Sequence, residues 1–304
     1  MHRIILGLWP MAGITSGRVS RETSLTIIQA AIDAGIDTFD TAFSYGYDGE
    51  SDRWLGEVLQ RTENKTKRLV VIGKVGQRWT TDRRRVVDAS PERLTADAEL
   101  SLKRMGLEQF DLLMLHAVDL QVELGRSAKA LDALHRRGLA ARLGICNTNA
   151  EELIRFAEAC PCSVIQCPLN LLQPDSLDPL IATAAKRKME SHVYWTLMKG
   201  LLAGRISRDH VFDAGDSRPT YGVFQGEARQ RAHDVIDRLS LIATRYDTTV
   251  ARLAIGWALS QPGVTAALVG AKHPQQIAET AVATSLNDDV LAEVNRAAAM
   301  EPLT

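Results

Sequence analysis

Four residues in the first 116 positions are of types that can share one reaction: Asp40, Tyr45, Lys74 and His116. Each stands at or just past the C-terminal end of an apolar, strand-like run: IDTFD, the DTAFSYG that continues it, LVVIGK and FDLLMLH. If those runs are parallel strands of one barrel, the four side chains converge on a single rim, where (β/α)8 enzymes do their chemistry. An acid, a phenol, an amine and an imidazole gathered there suit reduction of a carbonyl. The Tyr45 phenol would protonate the oxygen that hydride attack leaves negative. A free phenol has a pKa of about 10, and a Lys74 ammonium beside it would stabilise the phenolate and lower that value. Asp40 would keep the ammonium charged by pairing with it, and His116 would donate to the substrate carbonyl and orient it. Each residue also has a bland reading: Asp40 capping a turn, Tyr45 packing, Lys74 reaching solvent, His116 a satisfied strand end. Their joint position at strand ends is what argues for chemistry. A Schiff-base lyase built on Lys74 would need an uncharged lysine, and Asp40 and Tyr45 alongside argue for a charged one.

The elements that must position these residues alternate along the chain. Strand-like runs fall near 4–8, 36–40, 69–74, 110–116, 140–146, 163–168, 191–197 and 264–270, with amphipathic helical segments between them. In the first helix Ser20 is placed to cap, Leu25, Ile28 and Ile32 share a face, and Gly35 closes the end. After the third strand Ser90 and Pro91 supply cap and first turn, Leu94, Ala98 and Leu102 make the stripe, and Gly106 ends it. Near-continuous apolar strands alternating with helices imply an α/β fold with a closed parallel (β/α)8 TIM barrel. No linker, low-complexity tract or repeat divides the chain, so residues 1–304 read as a single domain. The segments 76–89 and 205–227 are longer than ordinary connections, which makes them candidate pocket walls. For Arg83, Arg84 and Arg85 a solvated surface is the equal alternative, whereas Trp79 is assigned to the pocket because exposure would waste its apolar area.

The chain has 304 residues, 45% of them hydrophobic, and a formal net charge of −1. That bounds one substantial core and argues against nucleic-acid or polybasic membrane partners. The opening IILGLW is too short for a signal segment and is cut off by Pro10, so a cytoplasmic protein is expected. The uncharged stretch from Leu253 to Ala271 is broken by Gly256, Pro262 and Gly263 and reads as a helix end and a buried strand, not a membrane span. Cys146, Cys160, Cys162 and Cys167 include no C-x-x-C pair and read as reduced structural thiols, with no metal site expected.

The stretch GIDTFDTAFSYG, with Lys74 and His116 downstream, resembles the aldo-keto reductase family, and further ordered segments extend the resemblance over nearly the whole chain. These are GLW near the start, Arg142 to Asn147, Gln166 with Pro168 to Asn170, Tyr194 to Gly200, and Gly270 to Thr280. The resemblance implies a barrel that binds NADPH extended across its C-terminal rim and reduces aldehydes or ketones. Consistently, no two glycines are separated by a single residue, so the Rossmann G-x-G-x-x-G is absent. By resemblance, Asn147 and Gln166 hydrogen-bond the nicotinamide carboxamide, Asp40 lies against the cofactor, and Tyr194 stacks on the ring. Leu197, Lys199 and Gly200 line the pyrophosphate, Gly270 and Lys272 meet the adenosine 2′-phosphate, and Gln276, Glu279 and Thr280 stand at the adenine. Thr280 replaces the family's usual Asn, which weakens the NADPH preference that Lys272 suggests. Trp9, Phe43, Tyr47, Trp79 and His116 are the candidate substrate pocket for a small carbonyl compound. Two other functions remain open: a cofactor-sensing regulatory subunit with little turnover, and a sugar or aldose dehydrogenase working in the oxidative direction. Oligomeric state is not legible.

Overall fold

The computed structural model describes residues 3–14, 17, 19–62 and 68–299. The outermost parts of the 1–304 span, residues 1–2 and 300–304, lie outside the described residues. Strands run in the order β1 (Ile4–Gly7), β2 (Thr38–Asp40), β3 (Val70–Val75), β4 (Gln77–Trp79), β5 (Arg85–Val87), β6 (Leu112–Leu115), β7 (Leu143–Cys146), β8 (Cys162–Pro168), β9 (Glu190–Tyr194) and β10 (Val264–Val269). All but β4 and β5 close one parallel barrel, in the order β1-β10-β9-β8-β7-β6-β3-β2. Helices α1 (Arg21–Asp33), α2 (Glu50–Thr62), α3 (Pro91–Met105), α4 (Leu124–Arg136) and α5 (Ala150–Ala159) cover the first half. α6 (Leu180–Lys186), α7 (Gly226–Arg245), α8 (Val250–Ser260), α9 (Pro274–Thr280) and α10 (Asp288–Ala298) cover the second. The (β/α)8 barrel read from the sequence is therefore the fold, each expected strand-like run contributing one barrel strand. Among the described residues, no helix is long and apolar enough to cross a membrane, and no cluster of three His, Cys, Asp or Glu could hold a metal ion.

Alternation along each strand sorts side chains between two cores. Ile5, Ile72, Leu112, Met114, Val164, Ala266 and Leu268 fill the inside of the barrel. Their neighbours in sequence, among them Ile4, Leu6, Val71, Leu113, Leu115 and Ile165, pack outward against the helices. The period then continues to the rim. Lys74 has the phase of Ile72, His116 that of Met114, Gln166 that of Val164, and Gly270 that of Leu268. On the outward face of β3, Gly73 lets the strand pack closely on Phe110, because a Cβ there would stand 2.2 Å from the Phe110 ring.

Helix ends largely follow the expected chemistry. The Ser20 hydroxyl accepts from Thr23 N, and Gly106 ends α3 in the left-handed conformation at φ 69°. Ser90 does occupy the N-cap position of α3, but its hydroxyl is diverted to Asp88 Oδ1 at 2.7 Å and caps nothing. The expected long loop at 76–89 is partly ordered as the β4–β5 hairpin, whose turn is closed by Thr80 N donating to Arg84 O at 2.9 Å. In 205–227 the backbone forms only two short 3-10 turns, Arg218–Thr220 and Gly222–Phe224.

Candidate active site

The inward phase of β2 and β3 brings Asp40 and Lys74 together below the rim, and both side chains are almost wholly buried. Lys74 Nζ donates to Asp40 Oδ1 and, at 3.1 Å, to Thr41 O. The other Asp40 oxygen accepts from Gln166 Nε2 at 2.7 Å, so the carboxylate is satisfied on both sides. Such saturation is what makes a buried charge pair tolerable. Tyr45 lies directly over the pair, its ring centroid 4.8 Å from Lys74 Nζ. Trp9 and His116 flank it edge-on, at 5.0 and 5.6 Å between ring centroids. The four residues singled out from the sequence are thus one contiguous cluster.

The electrostatics differ from the simplest expectation. Burial holds the Tyr45 phenol well above its ordinary value, the Asp40 carboxylate pushes in the same direction, and Arg85 opposes them. The expected depression by Lys74 is outweighed: the ammonium faces the ring and its charge is largely spent on Asp40. His116 moves the other way from its usual range, because burial and then the Lys74 and Arg85 cations disfavour imidazolium. Its Nδ1 is buried without a hydrogen-bond partner among the described residues.

Above the cluster lies a cavity of about 460 Å³. Asp40, Tyr45, Lys74 and His116 form its floor, Trp9 and Trp79 its wall, and Asn147, Gln166 and Tyr194 one side. Asn147 follows a strand residue and would face outward by alternation, but its left-handed backbone, at φ 51°, turns the amide back inward. That amide donates to His116 O at 2.8 Å and accepts from the Tyr194 hydroxyl at 2.6 Å. Cys146, inward and buried, has its thiol pushed up to about 12 by desolvation. A second cavity of about 240 Å³ continues from the first over the ends of β9 and β10. It is lined by Leu197, Lys199, Gly200, Gly270, Lys272 and Gln276.

Some of the residues named from the sequence lie elsewhere. Phe43 is not among the lining residues; it packs under Arg104, whose guanidinium carbon is 4.8 Å from its ring centroid. Tyr47 is 38% exposed and stacks on the outer side of Trp79. Glu279 and Thr280 line neither cavity: Glu279 pairs with Arg205 at 2.7 Å, and the buried Thr280 hydroxyl donates to Gln276 O. Conversely, Trp195 and Tyr221 line the first cavity and Arg218 the second without having been singled out from the sequence, and Arg85, for which pocket and solvated surface were equal alternatives, also lines the first. Trp195 breaks strand alternation through a left-handed backbone at φ 59°, which no apolar pattern announces. The signal for Arg85 was the crowding of arginines in segment 76–89.

Comparison with known proteins agrees with this architecture. Residues 3–299 match the Aldo/keto reductase family. Aldo-keto reductase YhdN from Bacillus subtilis is 29% identical over 96% of this chain and 88% of its own length. An NADH-specific methylglyoxal reductase from Escherichia coli is 26% identical over 94% of this chain and 91% of its own. The structure of glycerol dehydrogenase AKR11B4 from Gluconobacter oxydans superposes with a TM-score of 0.89 at 29% identity, covering 99% of this chain and 94% of that one. With a closed barrel, a rim that gathers Asp40, Tyr45, Lys74 and His116, and a family match over all but the chain ends, this protein belongs to the aldo/keto reductase family of oxidoreductases.

Proposed function

We propose that this oxidoreductase reduces aldehydes or ketones to alcohols with NADPH, Tyr45 serving as the acid. The observation that carries this reading is the buried Lys74–Asp40 pair lying under the Tyr45 ring at the floor of an open cavity. A phenol whose pKa is raised is fully protonated at neutral pH, as a proton donor must be. The ammonium below it is placed to stabilise the phenolate left after transfer. Neutral His116, which lines the cavity, would orient the carbonyl oxygen toward Tyr45.

The residues present fit a nicotinamide dinucleotide. The two cavities share Trp9, Trp195, Lys199 and Gly270 and together make one elongated trough. Asn147, Gln166 and Tyr194 stand at its inner end, and Lys272 and Arg218 at its outer end. When bound, the reduced nicotinamide supplies the hydride. Two cations at the outer end suit the additional phosphate of NADPH over NADH, although the Escherichia coli relative is described as NADH-specific. A second reading, alcohol oxidation, is favoured by the likeness to a glycerol dehydrogenase. In that direction Tyr45 would first have to give up its own proton, and the phenolate, stabilised by Lys74, would then accept the hydroxyl proton.

The test is a panel of aldehydes, ketones and polyols with both cofactors, followed at the nicotinamide absorbance, on the natural chain and Tyr45→Phe. The variant should bind cofactor undiminished while kcat falls by about 10²–10⁴. Undiminished turnover would remove Tyr45 as the acid. Tight cofactor binding without consumption of any panel member would replace catalysis with a sensing role.

A further inference from the structure

We infer that the carbonyl substrate of this site carries an anionic group, a carboxylate or phosphate, and that Arg85 receives it. The inference rests on the reductase reading above and adds the substrate class. Besides its tyrosines and Cys146, the catalytic cavity is lined by the ionisable side chains of Asp40, Lys74, His116, Arg85 and Lys199. Asp40 and Lys74 cancel each other, and burial keeps His116 neutral. That leaves two cations without a counterion. Arg85 has no carboxylate partner among the described residues; its guanidinium carbon lies 5.3 Å from the centroid of the Trp9 ring. Lys199 likewise rests on aromatic faces, 4.2 Å from the Trp195 centroid and 4.1 Å from that of Tyr221. Nearby, Arg84 pairs with Asp82, Arg93 with Asp88 and Arg218 with Asp216, while Arg83 lies over the Tyr47 ring, outside the cavity. Arginine held on an aromatic face keeps its planar fork free for a bidentate anion.

The two cations divide by position. Lys199 lines both cavities and stands along the cofactor trough, whereas Arg85 lines the first cavity alone, on the hairpin that overhangs Tyr45 and His116. Arg85 therefore faces the carbonyl end and not the cofactor's phosphates. Trp9 contacts both that guanidinium, 5.3 Å from its ring centroid, and the Tyr45 ring, edge-on at 5.0 Å, so a substrate lying along it would meet the acid and the arginine. That spacing calls for an anion a few atoms from the carbonyl and not adjacent to it. Arg85 would act as a specificity residue, distinct from the group that transfers the proton.

The matched pair is succinic semialdehyde and butanal, which differ only by a carboxylate in place of the terminal methyl. The natural protein should show a kcat/KM at least tenfold higher for the semialdehyde. The preference should shrink severalfold between low salt and 0.5 M sodium chloride, about where charge attraction is screened. Arg85→Gln should lower the ratio of the two kcat/KM values about tenfold or more, and Arg85→Lys should recover part of it. A phosphate-bearing aldehyde, glyceraldehyde 3-phosphate against glyceraldehyde, tells which anion the site prefers. Either preference, lost in Arg85→Gln, supports the inference. Reduction of butanal and glyceraldehyde with no anion preference overturns it and leaves the reductase reading standing. An anion preference that Arg85→Gln retains overturns the assignment to Arg85. Consumption of none of these carbonyls overturns both.

Discussion

At His116 several effects act in one direction. Burial, Lys74 and Arg85 all disfavour the imidazolium, so the ring stays neutral well below its ordinary titration range. An NMR titration of the His116 ring should show no charge transition between pH 6 and 8, and the pH profile of kcat/KM should carry no His116 limb there. A ring titrating near its ordinary value, about 6.5, would contradict the burial argument. Asp40, Lys74 and His116 were legible in the sequence because strand phase carries them inward, and phase is what an apolar pattern records. Trp195 was not, because its inward turn comes from a left-handed backbone that breaks the phase. Asn147 turns by the same device and was named only through the family resemblance. Phe43 was misjudged for a related reason: an aromatic near the acid need not face the cavity, and Arg104 provides another surface to cover.

Within β3, Lys74 is held at its height by the residue before it. Gly73 has no side chain to separate the strand from Phe110, and an added methyl would have to displace that ring from 2.2 Å. Gly73→Ala should cost about 1–3 kcal/mol, the usual penalty for overpacking a core, measured as a lowered urea midpoint with unchanged slope. Combining it with Phe110→Leu should recover part of the loss, because the two sites share one volume. Barrel strands and helices could be read from the sequence because long periodic runs specify them. The β4–β5 hairpin could not, since strands of three residues around a Thr-Asp-Arg turn leave no measurable period. Ser90 shows the same limit at a helix end, where a nearby Asp88 outcompeted the backbone for its hydroxyl.

Across the whole molecule, a polar layer behind the site ties barrel to helices. Asp52 of α2 is fully buried and accepts from Thr41 Oγ1 at 2.7 Å and from Ser101 of α3. Ser51 Oγ, 2.8 Å from Thr41 Oγ1, donates to Tyr45 O at 3.0 Å, so this layer holds the loop that carries Tyr45. Desolvation raises Asp52 to about 6, against hydrogen bonds from Ser101 and Thr41 that pull it down. A carboxylate raised on folding binds its proton more tightly in the native state. It therefore destabilises the fold above pH 6, and that cost is relieved as pH falls toward the unfolded value near about 4. Relative to Asp52→Asn, the natural chain should gain about 2 kcal/mol of unfolding free energy between pH 7.5 and 4.5. Parallel pH dependences of chain and variant by chemical denaturation would show that folding leaves the Asp52 proton affinity unchanged and would overturn the burial argument.

The hairpin β4–β5 shares no ladder hydrogen bond with the barrel and forms its own two-stranded sheet. Trp79 Nε1, donating to Ser44 O at 2.9 Å, moors it beside Tyr45. On the proposal that Arg85 receives the substrate, the piece that selects a molecule is separable from the piece that transforms it. Exchanging residues 77–87 as a cassette while keeping that mooring would retarget the protein without rebuilding its engine, and lineages sharing this barrel could diverge in diet by the same route.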